Sequence, residues 1–158
     1  MLGSGIVGPG PRCVVPFTAY ASEVRGLRRA AASQLAQWRL PALLDKTQLA
    51  VSELAANVVQ HVGEGAVAAL VMEVAAARLR IEMHDEGRTL PAVVSTDGDS
   101  ERGRGLRLVA VLADESGAAL TFFGKVVWCE FGAGTPGGGH RGPVPVRAGG
   151  TARPEFVA

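Results

Sequence analysis

Apolar and polar positions change period several times along the chain, and each change marks an element. Cys13-Val14-Val15-Pro16-Phe17 is a short, β-branched apolar run that predicts a strand. Pro16 suits a sheet edge, because proline cannot donate to a ladder. From 22 to 39 the period becomes helical: Val24, Leu27, Ala31, Leu35 and Trp38 recur on one face, Ser22 stands where an N-cap would, and Pro41 marks the stop. A second helix is predicted over 43–62, ending near Gly63 and Gly65. Two strands follow, 66–74 and 78–84, joined by a short Ala-rich turn. In the latter, Leu79, Ile81 and Met83 alternate with Arg80, Glu82 and His84, the pattern of a half-buried strand. A polar loop over 86–102 leads to a third helix, 103–113, that opens on glycines. Strand-like runs at 118–123 and 125–131 flank Gly124. This order predicts an α+β fold, a two-layer α/β sandwich with helices on one face of a mixed, mostly antiparallel sheet.

Composition trims the ends. Residues 1–12 hold four Gly and two Pro, and residues 132–158 hold eight Gly and four Pro. Such segments bury too little apolar area to offset backbone ordering, so both are expected to be disordered around a single domain, 13–131. Lys and Arg number 16 and Asp and Glu 15, for a formal charge of +1. That balance argues against capture of nucleic acid or an anionic membrane by bulk charge. No apolar run is long enough to span a bilayer, and the first residues lack the pattern of a signal peptide. Cys13 and Cys129 match no metal-ligand spacing and make no disulfide framework. These features predict a reduced, cytoplasmic protein.

Three segments carry candidate chemistry. On the second helix Val51, Leu54, Ala55, Val58 and Val62 make a core stripe, and Glu53, Asn57, Gln60 and His61 fall on roughly the opposite side. Glu53 and Asn57 are neighbours one turn apart. The face is either ordinary and solvated, or it aims a proton acceptor and a Mg²⁺-ligating amide into a cleft. Asp85-Glu86-Gly87 closes a strand and is either a plain turn or a carboxylate for an amino group, with Gly87 admitting a flat ligand. Gly103-Arg104-Gly105-Leu106 is either a bare helix start or a phosphate cradle. It fits neither a dinucleotide fingerprint nor a Walker loop, since Leu108 stands at the third glycine position and no Gly-Lys-Ser/Thr follows. His84 and His140 have no ligand-spaced companions, His61 is a lone His on a helix and reads as structural, and Lys125 either reaches phosphate or flanks a turn, with the flank favoured.

Taken in order, these segments resemble the GHKL ATPases. The run from Ser52 to His61 resembles their asparagine box, Asp85-Glu86-Gly87 their first glycine box, and Glu101-Arg102-Gly103-Arg104-Gly105-Leu106 their second. Gly124-Lys125-Val126-Val127-Trp128 resembles the closing strand of the small actinobacterial members, among them the anti-sigma-factor serine kinases and short stand-alone ATP-binding regulators. The resemblance implies a Bergerat-type sandwich that binds ATP with Mg²⁺. It implies that Asp85 bonds the adenine amino group, Gly87 lets the ring pack close, and Asn57 ligates the metal. Gly103, Arg104, Gly105 and the Leu106 amide would form the phosphate turn, and Glu53 would be the general base for a protein serine. The loop over 86–102 would be the lid. It is shorter than in the sporulation kinases, and no second glycine follows Gly87.

The implied function is a serine/threonine kinase acting on a STAS-type anti-sigma antagonist, with a sigma factor as the other partner. The alternative is a non-catalytic, ATP-dependent module that sequesters a sigma factor or another regulator. A histidine-kinase catalytic domain is a third reading, for which this sequence offers no phosphoacceptor helix. The resemblance implies neither direct nucleic-acid contact nor a membrane, and relatives of this branch suggest a homodimer.

Overall fold

A computed structural model describes residues 10–91 and 104–133. The expected tails beyond these limits and most of the expected lid lie outside the described residues. The elements are β1 (Arg12–Thr18), α1 (Val24–Gln37), α2 (Leu44–His61), β2 (Val67–Ala75), β3 (Arg78–Asp85), α3 (Arg104–Leu112), β4 (Glu115–Leu120) and β5 (Lys125–Gly132). Short 3₁₀ turns, Ala21–Glu23 and Pro41–Leu43, lead into α1 and α2.

The five strands form one sheet in the order β1-β2-β3-β5-β4. Every neighbouring pair is antiparallel, so the sheet is antiparallel throughout rather than mixed. β1 lies at an edge, where Pro16 breaks no central ladder. β3 is the middle strand, and its last residue, Asp85, stands opposite Lys125, the first of β5.

Strand parity decides the two faces. Leu70 and Met72 of β2, Leu79, Ile81 and Met83 of β3, and Val127, Cys129 and Phe131 of β5 are buried together with Leu27, Ala31 and Leu35 of α1, Val51, Leu54 and Val58 of α2, and Val109 of α3. Full burial of one such side chain contributes about 1.5–3 kcal/mol. Among the described residues, Phe131 is the one aromatic in the fully buried set, as a composition rich in Val, Leu and Ala demands.

The other face carries charge. Arg80 donates to Glu82 at 2.6 Å and to Glu130 at 2.8 Å, and its guanidinium lies 4.0 Å from the centre of the Trp128 ring. The His84 ring nitrogen sits 2.7 Å from the second Glu82 oxygen. Gly117 makes room for the indole, since a Cβ there would come within 2.8 Å of Trp128 Cζ2. Burial works against ionisation of Glu82, but the hydrogen bonds from His84 and Arg80 and the Arg80 charge outweigh it, lowering the carboxyl from 4.5 to about 2.

Several expected boundaries move. Ser22 makes no side-chain cap bond, because the chain enters α1 through the 3₁₀ turn that contains it. β4 begins earlier than its apolar run suggests and ends at Leu120. Phe122 and Phe123 fall in the β4–β5 turn, 85% and 75% exposed, and pack edge-to-face at 5.1 Å. The β2–β3 hairpin turns on Ala76 and Ala77, with φ of 49° and 57°. No helix among the described residues is long and apolar enough to cross a membrane.

Candidate functional site

α2 organises the site. It lies between α1 and α3 and over β3, so its flank toward α3 is not the solvated face that a wheel suggests. Glu53 is half-buried there, and Asn57, one turn on, is only 8% exposed. Gln60 and His61 do face solvent. The Asn57 amide has no hydrogen-bond partner among the described residues, which leaves its oxygen available as a ligand.

Glu53 meets the start of α3. A Cβ at Gly105 would run into its carboxylate, so only a glycine fits beneath that side chain in this arrangement. The carboxylate therefore rests on the first turn of α3, where backbone N–H groups lack helical partners and negative charge is stabilised. Leu106, next in the chain, turns partly into the core. Arg104 opens the helix. Gly103 lies outside the described residues.

The second group of contacts forms where β3 ends. The Asp85 side chain is fully buried. Its Oδ1 accepts from the Gly87 N–H at 2.8 Å and from Lys125 Nζ at 2.8 Å. Its Oδ2 is buried with no partner among the described residues. A buried, unpaired carboxylate oxygen is costly, and it marks a place where a donor belongs. Gly87 is crowded from three sides: a Cβ there would fall 2.7 Å from Lys125 Nζ, 2.9 Å from Asp85 Oδ1 and 2.9 Å from Val62 Cγ2. At Gly124 a Cβ would collide with the Asp85 carbonyl, so the β5 backbone can close on β3 only through a glycine. Arg88 donates to the Phe122 carbonyl at 3.0 Å, which ties the segment after Gly87 to the β4–β5 turn.

Both groups touch α2, Glu53 on its flank and Val62 at its C-terminal end. Nine residues at helical rise separate them by about 13 Å along the axis. That spacing suits a ligand with a flat donor-bearing ring at one end and an anionic tail at the other. Glu53 and Asn57 lie on α2, Gly105 meets Glu53, and Gly87 approaches Val62 at the end of the same helix beside Asp85.

Lys125 is the residue that reading missed. It does follow the β4–β5 turn, but its side chain is turned inward from that position. It is 3% exposed and paired with Asp85. Parity along β5 carried the signal, since Lys125 shares its face with Val127, Cys129 and Phe131.

A family model described as a histidine kinase-like ATPase domain matches residues 17–128. Among curated proteins the chain finds no match. The matched span runs from the end of β1 into β5 and contains every described residue placed in the site. With an antiparallel sheet covered on one side by helices, this chain belongs to the histidine kinase-like ATPase family and is an ATP-binding domain of the GHKL type.

Proposed function

We propose that the chain is a Mg-ATP-dependent regulator that phosphorylates a serine of a small STAS-type protein, in the manner of an anti-sigma-factor kinase. The observation that carries the nucleotide reading is Asp85 Oδ2, a buried acceptor with no donor among the described residues, close to Gly87. The exocyclic amine of adenine fits it. At the other end, Gly105 and the Leu106 amide would take phosphate, together with Gly103 and Arg104. Asn57, with its unpartnered amide oxygen, fits a hard cation that shares its coordination with phosphate.

ATP supplies the phosphoryl group and Mg²⁺ offsets its charge. The chain's own contribution is to seat the base, order the phosphates and hold a proton acceptor beside them. Glu53 is supported in that role by its place against Gly105. Its carboxylate would take the serine hydroxyl proton as Oγ bonds to the γ-phosphorus and the bond to the departing ADP oxygen breaks.

The second reading is a module that grips a sigma factor or another regulator without turnover. Phe122, Phe123 and Val111, at 85%, 75% and 74% exposure, favour it, because apolar groups left this open suit a protein partner.

Incubation with labelled ATP, Mg²⁺ and candidate STAS proteins separates the two. For a kinase, label appears on serine. Glu53→Ala lowers the transfer rate by roughly 10²–10⁴-fold with little change in ATP affinity. Asn57→Ala abolishes metal-dependent binding. Tight ATP binding with no transfer to any partner favours the module, and no ATP binding refutes both.

A further inference from the structure

We propose that Lys125 is a second base-reading group, donating to the ring nitrogen next to the exocyclic amine that Asp85 recognises. The inference rests on the nucleotide reading above and extends it to a residue outside the glycine and asparagine boxes.

The position is the first argument. Lys125 opens β5 directly opposite Asp85, on the face where alternation calls for an apolar side chain. A buried ion pair adds little stability over a well-packed apolar pair, so stability alone does not explain an ammonium here. The second argument is unused capacity. Lys125 Nζ carries three N–H donors, and its one hydrogen bond among the described residues goes to Asp85 Oδ1. Asp85 Oδ2 is in turn unpartnered among the described residues. Two groups locked together through Oδ1 therefore offer one acceptor and one donor side by side. The third argument is proximity. Nζ lies 2.7 Å from where a Gly87 Cβ would be, so the ammonium sits against the same glycine whose N–H bonds Asp85.

That pair complements the edge of adenine. The amine donates to Oδ2, and the adjacent ring nitrogen accepts from Nζ. Guanine in the same pose sets its carbonyl against the carboxylate and its ring N–H against the ammonium. Both contacts are then mismatched, and buried polar groups left unpaired discriminate strongly.

The test is calorimetric titration of the full chain with Mg²⁺ and three nucleotides: ATP, GTP and 1-deazaadenosine triphosphate. The last keeps the amine but has C–H in place of the ring nitrogen. The expected result is that the deaza analogue binds about 10- to 100-fold more weakly than ATP, the loss of one charge-assisted hydrogen bond, with GTP weaker still. In Lys125→Met, ATP and the analogue are expected to bind alike. If that variant does not fold, the comparison on the unaltered chain decides by itself. Equal affinities for ATP and the deaza analogue overturn the role of Lys125 and leave the nucleotide site standing. Failure of the unaltered chain to bind ATP overturns the nucleotide reading and this inference with it.

Discussion

Asp85 and Lys125 hold opposite charges out of water, and neither is tolerable there alone. Asp85→Ala strands an ammonium that is 3% exposed and should cost about 3–5 kcal/mol, read from the urea midpoint. Adding Lys125→Met to that variant should recover most of the loss. If the double variant is as unstable as the single, the pair is not what holds this corner. At this scale the sequence told a good deal. Asp85, Gly87, Glu53 and Asn57 were each open to a plain reading. The bond from the Gly87 N–H to Asp85 is one a plain turn makes. What goes beyond it, among the described residues, is the unpaired Asp85 Oδ2, the contact of Glu53 with α3 and the burial of Asn57. Lys125 was legible by strand parity, but one Lys beside a glycine reads as a turn until the strand's start is known. The burial of Asn57 was hidden for a related reason. A wheel shows which side of a helix is polar, and not that a third helix covers part of that side.

The β2–β3 hairpin shows an element whose local chemistry opposes its geometry. Ala76 and Ala77 both take positive φ, the requirement of a type I′ turn, where Asn-Gly is the favoured pair. A Cβ in left-handed backbone costs roughly 1–2 kcal/mol per residue. The double substitution Ala76→Asn, Ala77→Gly should raise stability by about 1–2 kcal/mol and lift the thermal midpoint, with ATP affinity unchanged. A lower midpoint would mean that the alanines pack against something that offsets their strain. Element boundaries were legible where periodicity was strong, as in α1, α2 and β3. They failed where an apolar run crossed into a turn. Phe122 and Phe123 look like the end of a strand, yet the bend that lets Gly124 pass under the Asp85 carbonyl leaves no ladder for them to join.

Across the whole molecule, charge on the open face of the sheet sets an acid limit. The Glu82 carboxyl titrates at about 2 in the folded chain against 4.5 without its partners. A group lowered on folding stabilises fully above its unfolded value. That contribution shrinks as pH drops below about 4.5 and is gone once pH passes through about 2. Thermal midpoints measured from pH 6 to 2 should fall through this window, and Glu82→Gln should flatten the fall. Sheet order was the part that local pattern could not supply. Nothing in the period of residues 115–132 says that β5, not β4, lies against β3, because hairpins mark neighbours in sequence and not their place among distant strands. Glu53 rests on the glycine one residue into α3. Under the proposed reading that is the seat for phosphate, so a triphosphate would have to displace a like charge there, and a divalent ion carried with the nucleotide would soften the repulsion. The protein would then admit the metal-laden nucleotide more readily than the bare one.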